Sequence, residues 1–327
     1  KGRYLMEMGQ KEIVHERLEY TLEKNKGVYF DITPSSKKLN EKVFIGKDFL
    51  SDIHMNLAKF WGKHSLLAIL QHEVSDKTQS YLEGAISEHF KACLEDFKRL
   101  SCKVKFPNAP EKNIIGLIHP MLDELDRGDI KPENIRELNQ AETMLNCFLP
   151  KINKDIKAVY YKKKNSENKV TYELYSQQDV SGVLCDVPFN LESTGTQSIL
   201  ELLPFLLLAA TGSTVIIDEM DTGIHDMRIR DILLSVYPEI DGQLIATTHN
   251  TLLMNSDLPA STFYIIDKKE HGKRNIDCIT ETVDRVHPNH NIQNRYLEGE
   301  YKGIPDSIKV SLNELLDVLE RDSEEND

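Results

Sequence analysis

The chain has 327 residues, enough for one large domain or two modest ones, and its 40% hydrophobic and 28% charged composition is that of an ordinary globular protein. No stretch reads as a membrane span or a signal peptide, so a cytoplasmic protein without a membrane role is expected. The net charge of −13 argues against broad, nonspecific nucleic-acid binding, and five scattered cysteines without a C-x-x-C pair (Cys93, Cys102, Cys147, Cys185 and Cys278) argue against a disulfide framework or a zinc site.

Residues 1–49 are predicted to be strands. Tyr4-Leu-Met-Glu-Met8, Ile13–Leu22 and Val28–Ile32 are separated by polar, glycine-containing turns, and their imperfect alternation suggests an antiparallel meander with one wet face. Residues 50–150 are predicted to be a helical lobe. In Lys77–Leu100, Phe90, Cys93, Phe97 and Leu100 recur at three and four after Leu82 and Ile86, and a second stripe holds Ile135, Leu138, Ala141, Leu145 and Phe148. Pro110, Pro120, Pro132 and Pro150 punctuate the connections, and most of the stripe residues are read as the lobe's own core.

Strands return at Ile156–Tyr161 and Val170–Tyr175, around a lysine-rich run that ends at Lys169. That run reads as a solvated hairpin turn, with a loop touching nucleic acid or a partner as the alternative. Ser193, Gly195 and Thr196 then open a helix predicted over Gln197–Ala210. Small hydroxyl and glycine residues leave backbone amides bare at a helix start, a natural anion site, although a plain serine cap gives the same pattern. The apolar run Ile199–Ala210 contains Glu201 and Pro204 and is too short to span a membrane, so it reads as a buried helix.

Thr214–Ile217 is a short, β-branched run that suits a strand buried on both faces, and it ends in Asp218 and Glu219. Two carboxylates at the carboxyl end of such a strand sit where open α/β sheets bind ligands. The first suits Mg²⁺ and the second is placed to polarise an attacking water. A helix near Asp226–Tyr237, a turn at Asp241-Gly242 and a second strand, Gln243–Thr248, lead to His249, which a βαβ unit would bring to the same sheet edge. After this come a core strand at Thr262–Asp267, a charged turn at Lys268–Arg274, a strand at Ile276–Thr282 and an amphipathic helix at Asp306–Glu320. That helix aligns Ile308, Leu312, Leu315, Leu316 and Leu319, and an acidic tail follows.

The series S-x-G-T, then hydrophobic-DE-x-D, then T-T-H-N resembles the ABC-type ATPases of the SMC and RecF branch. It is most similar to the small prokaryotic AAA-family defence ATPases of the RloA and AbiL kind and to OLD-type ATPases. Asp221 looks like the D-loop aspartate, His225 like the histidine that follows it, and Arg295–Pro305 like the closing Tyr-x-x-Gly-x-Tyr-Gly-x-x-Pro pattern. The resemblance covers Asp186–Pro305 most specifically. It implies an α/β fold: an ABC-type ATPase head made of a mixed sheet with flanking helices and an antiparallel β flank, with the helical lobe inserted and residues 151–305 as core. It also implies ATP and Mg²⁺ as cofactors, with Mg²⁺ at Asp218, and Glu219 and His249 as catalytic residues. Ser193, Gly195 and Thr196 would act on the nucleotide of the opposite subunit of a homodimer with composite sites. Many relatives control a partner toxin or nuclease. The stretch after His249 lacks the spaced acids of a TOPRIM metal site, so the effector is expected to be a separate protein.

No G-x-x-x-x-G-K-[ST] loop occurs in the sequence. In this family that loop lies near the N-terminus, before the strands that here begin at Tyr4. The expectation is a fragment or processed form lacking the first strand, the phosphate loop and its helix, with a degenerate, nucleotide-independent scaffold as the alternative.

Overall fold

The computed structural model describes residues 2–22, 25–75, 84–104, 112–114, 119–268, 272–282, 291–305 and 307–316. The chain divides into two compact units. The first holds Lys1–Asp123, Leu207–Ile216 and Asp241–Ile245; the second holds Glu124–Leu206, Ile217–Ile240 and Ala246–Asp327.

The first unit opens with an antiparallel meander of β1 (Gly2–Met8), β2 (Ile13–Leu22), β3 (Asn25–Thr33) and β4 (Ser36–Leu39), in the order β1-β2-β3-β4. Alternation along β2 and β3 gives the sheet its two faces. Leu18, Phe30 and Ile32 point into the core, which α1 (Lys47–Phe60), α2 (Leu66–Ser75) and α3 (Glu88–Phe97) complete with Phe49, Ile53, Leu57, Leu66, Leu70 and Phe90. The opposite face is polar. There Arg17 Nη1 donates to Asp31 Oδ2 at 2.6 Å, and His15 Nε2 lies 2.9 Å from Asp31 Oδ1. Partial burial works to raise the Asp31 pKa, but the His15 and Arg17 bonds and charge outweigh it and hold the carboxyl below its ordinary value.

One charged group faces inward. Glu16 is fully buried, and its carboxylate accepts from Tyr4 Oη (2.8 Å), Trp61 Nε1 (2.8 Å) and the backbone N–H of Leu66 (2.8 Å to Oε2). Three donors on three segments thus compensate the desolvation of one carboxylate. Burial beside that charge also pushes the Tyr4 hydroxyl well above the usual tyrosine range.

A second sheet has the order β12-β11-β5-β6, built from β5 (Leu100–Lys103), β6 (Lys112–Asn113), β11 (Thr214–Ile217) and β12 (Gln243–Ala246). Gln243 N donates to Ser213 O and Thr247 N to Ile217 O, so both partners advance together and β11 and β12 run parallel. Residues 50–150, expected to be helical, therefore also contain strands, and β5 lies directly beside the strand that ends in the acid pair. Four residues, Leu-Ser-Cys-Lys, are too few to show a period of two. Nor do these residues stay together, since those up to Asp123 belong to the first unit and the rest to the second.

In the second unit β7 (Arg127–Ile130), β8 (Ile156–Asn165), β9 (Val170–Val180) and β10 (Val183–Pro188) form a sheet centred on β9. β8 pairs along one edge, while β10 and β7 share the other. The outer edge of β8 is covered by α4 (Ile135–Ile152). Asn146 exchanges two hydrogen bonds with the backbone of Val159, at 2.7 and 2.9 Å, and Glu142 accepts from Tyr161 N at 2.8 Å. The buried stripe of α4 is Leu138, Ala141, Leu145 and Leu149, so Leu149 rather than Phe148 closes it. The helix expected at Gln197–Ala210 is α5 (Thr194–Ala210); it is buried almost all round and keeps Pro204 inside. No helix among the described residues is long and apolar enough to cross a membrane.

α6 (Asp226–Val236) joins β11 to β12, and β13 (Tyr264–Lys268) pairs antiparallel with β14 (Arg274–Cys278). The strand expected to reach Thr282 stops at Cys278, and Ile279–Thr282 form the short helix α7, where buried Ile279 packs with Ile265 and Tyr301. α8 (Ile292–Leu297) leads into the turn that carries Tyr301. Within the expected C-terminal helix, residues 312–316 are helical and their leucines exposed; Leu82, Leu319 and the acidic tail lie outside the described residues.

Glu16→Ala should lower the unfolding free energy by about 3 kcal/mol in a denaturant titration, because buried donors lose their acceptor. A loss well below 1 kcal/mol would mean that water replaces the carboxylate.

Candidate functional site

All the residues singled out as site candidates lie in the second unit. Asp218 and Glu219 follow β11 directly and both are exposed. Residues 247–250 follow β12, so the parallel pairing of the two strands delivers both segments to one sheet edge. Val215 and Ile217 are fully buried, which fixes the register of β11 and turns the next two residues out of the core.

Side-chain and backbone bonds tie the two segments together. Thr247 Oγ1 donates to Asp218 Oδ1 at 2.6 Å and accepts from the Glu219 N–H at 2.7 Å. Met220 N donates to Thr247 O at 3.1 Å, and His249 N donates to Asp221 Oδ2 at 3.3 Å. Asn250 is buried; its Nδ2 donates to Asp226 O at 2.8 Å and its Oδ1 accepts from Leu252 N at 2.9 Å. Thr222 Oγ1 reaches Glu219 Oε2 at 3.4 Å. Glu219 itself has φ +48°, a left-handed conformation that costs a non-glycine residue about 1–3 kcal/mol and recurs at functional sites.

Asp218, Glu219, Asp221 and the backbone of His249 therefore come together. Thr247, not singled out as a site residue, turns out to be the group that joins them, although its place in T-T-H-N, next to a carboxylate pair, was a usable signal. His225 caps α6, with Nδ1 accepting from Met227 N at 3.2 Å. One Asp218 oxygen is taken by the Thr247 hydroxyl, and among the described residues no group of three or more His, Cys, Asp or Glu side chains comes together that could hold a metal ion.

The S-x-G-T turn is a helix start. Ser193 Oγ accepts from Thr196 N at 3.3 Å and pairs with Thr196 Oγ1 at 2.9 Å. Thr196 is buried, so of the two hydroxyl residues only Ser193 is exposed. A Cβ on Gly195 would sit 2.9 Å from Gly223 O, so the turn packs against the acid turn of its own chain. Gly223, at φ +77°, in turn approaches Thr194 and Ser198. Just upstream, Glu192 is buried, and its Oε1 accepts from Ser176 Oγ and Gln178 Nε2 of β9, fixing the turn to the neighbouring sheet.

The lysine-rich hairpin forms as β8–β9. Lys162 lies 3.7 Å from the Tyr175 ring centroid, Lys163 bonds Asn139 and Lys169 bonds Asp129. The closing Tyr/Gly pattern is structural: Tyr301 is buried beneath Arg295, and a Cβ on Gly303 would lie 2.5 Å from Ile265.

Residues 3–255 match the family described as "AAA domain, putative AbiEii toxin, Type IV TA system". The chain belongs to this family of AAA-type ATPase domains, and its architecture is mixed α/β. Among solved structures it is similar to an SMC head bound to the C-terminal winged-helix domain of ScpA. That similarity has a TM-score of 0.33 at 12% identity and covers 46% of this chain and 46% of the other. No curated protein matches the chain.

Gly195→Ala should destabilise the chain by about 1–3 kcal/mol, since a backbone carbonyl must move to admit one methyl group. A melting temperature equal to wild type would show that the turn can open freely.

Proposed function

We propose that the protein is an ABC-type ATPase of the SMC and RecF kind that uses ATP to switch a homodimer, and through it a partner effector of nuclease or toxin type, in defence against phage or in DNA processing. The observation that carries the proposal is the acid pair at the end of β11, tied through Thr247 to the parallel strand that leads to His249. Membership of the AAA family supports the use of ATP.

In this reading Asp218 would hold Mg²⁺, which would supply charge stabilisation for the phosphates. Glu219 takes a proton from the attacking water as the water oxygen bonds the γ-phosphorus, and the bond to the ADP oxygen breaks. His249 donates to the terminal phosphate and orients that water. The start of α5, with Ser193 exposed and Gly195 half-buried, would offer its amides to the nucleotide of the opposite subunit.

Glu219→Gln in the full-length protein should slow ATP hydrolysis by about 10²–10⁴-fold, leave ATP binding intact and trap a dimer. Turnover at the wild-type rate would remove Glu219 from the chemistry.

The alternative is a truncated or degenerate ATPase that acts as a nucleotide-independent scaffold for a partner protein. Saturating a site at one hundred times its Kd stabilises a fold by about 2.7 kcal/mol. Residues 1–327 alone should show no such gain with millimolar Mg-ATP, because a phosphate loop supplies most of the grip on the β- and γ-phosphates. A clear ATP-dependent rise in their melting temperature would reveal a nucleotide pocket within them.

A further inference from the structure

Every polar group of Thr247 is spent on four consecutive residues. Its N–H donates to Ile217 O at 2.9 Å, its hydroxyl donates to Asp218 Oδ1 and accepts from Glu219 N, and its carbonyl accepts from Met220 N. A hydroxyl has one proton to give and lone pairs to receive, so one atom can hold a carboxylate and a backbone amide at once. Thr247 is exposed, so burial does not explain why these bonds are made. Glu219 is the one residue of the four in a left-handed conformation, and the two Thr247 bonds to Glu219 N and Met220 N bracket it. Further along the same loop, His249 N holds Asp221 and Asn250 holds the backbone of Asp226.

We propose that Thr247 is a positioning residue for the acid pair: its hydroxyl sets the rotamer of Asp218 and the backbone of Glu219, so that both acids are in place only while residues 247–250 stay docked on the turn. The loop that carries His249 thereby governs the carboxylates that would bind the metal and take the proton. This inference rests on the roles given to Asp218 and Glu219 under the proposed function.

The test compares Thr247→Val, which keeps the shape and loses both hydroxyl bonds, with Thr247→Ser, which keeps the hydroxyl, in the full-length protein. Without nucleotide, amide hydrogen exchange at Glu219 should quicken by about tenfold in the valine variant and return to the wild-type rate in the serine variant. With Mg-ATP, the valine variant should lose about 10²-fold in kcat with an unchanged KM, and serine should restore it. Unchanged exchange at Glu219 overturns the proposal. So does faster exchange with unchanged kcat, which would make the hydroxyl merely structural. A wild-type protein that does not hydrolyse ATP is a failure of the ATPase reading instead. Exchange at Glu219 then still decides, on its own, whether the hydroxyl holds the turn.

Discussion

The parallel pairing of β11 with β12 is the constraint on which the candidate site depends. It is secured at both ends. At its start, Gly242 approaches so close that a Cβ would lie 2.2 Å from Ser213 O, and Gly242 N caps Ala209 O. Only glycine admits that approach. At its end, Thr247 binds Ile217, Asp218, Glu219 and Met220. Between them α6 supplies the crossover that a parallel pair requires. A slip of one residue would turn Val215 and Ile217 out of the core and Asp218 into it, so core packing and acid placement are specified together.

Elsewhere buried or half-buried polar side chains act as clasps within each unit. Glu16 gathers Tyr4, Trp61 and the start of α2; Glu192 fixes the S-x-G-T turn to β9; Asn146 pairs with the outer edge of β8 as a strand would. Each satisfies its own hydrogen-bonding needs with donors or acceptors that would otherwise go unpaired. Such groups specify one arrangement where apolar contacts would tolerate several.

These clasps are also what the sequence conceals. The acid pair, the His249 loop and the strands before them were legible because each combines a β-branched run with a polar motif at its end. Glu16 was not, because a lone glutamate in a strand looks like any solvent-facing residue until its partners, tens of residues away, are known. β5 is not legible because four residues carry no period, and the apolar pattern of β14 runs past its end because Ile279 continues its apolar character while packing in a different element. His225 suggested a motif position and serves as a helix cap, a role visible only in backbone geometry.

Gly195 lies against the acid turn of its own chain. A glycine at a helix start suggested close approach of another subunit's phosphate, yet the nearest neighbour is the Gly223 carbonyl of the same chain. A bulky residue at 195 would therefore displace the acid turn before any partner arrived, and lost assembly would follow from either cause. Ser193 separates them. It is exposed, and its hydroxyl bonds only within the first turn of α5, to the Thr196 side chain and amide. A cap of this kind is worth about 1 kcal/mol, too little to unfold the turn. An effect of Ser193 on assembly much larger than its effect on stability would thus point to contact across subunits, whereas matched effects would leave the turn as a cap that braces the acids from within.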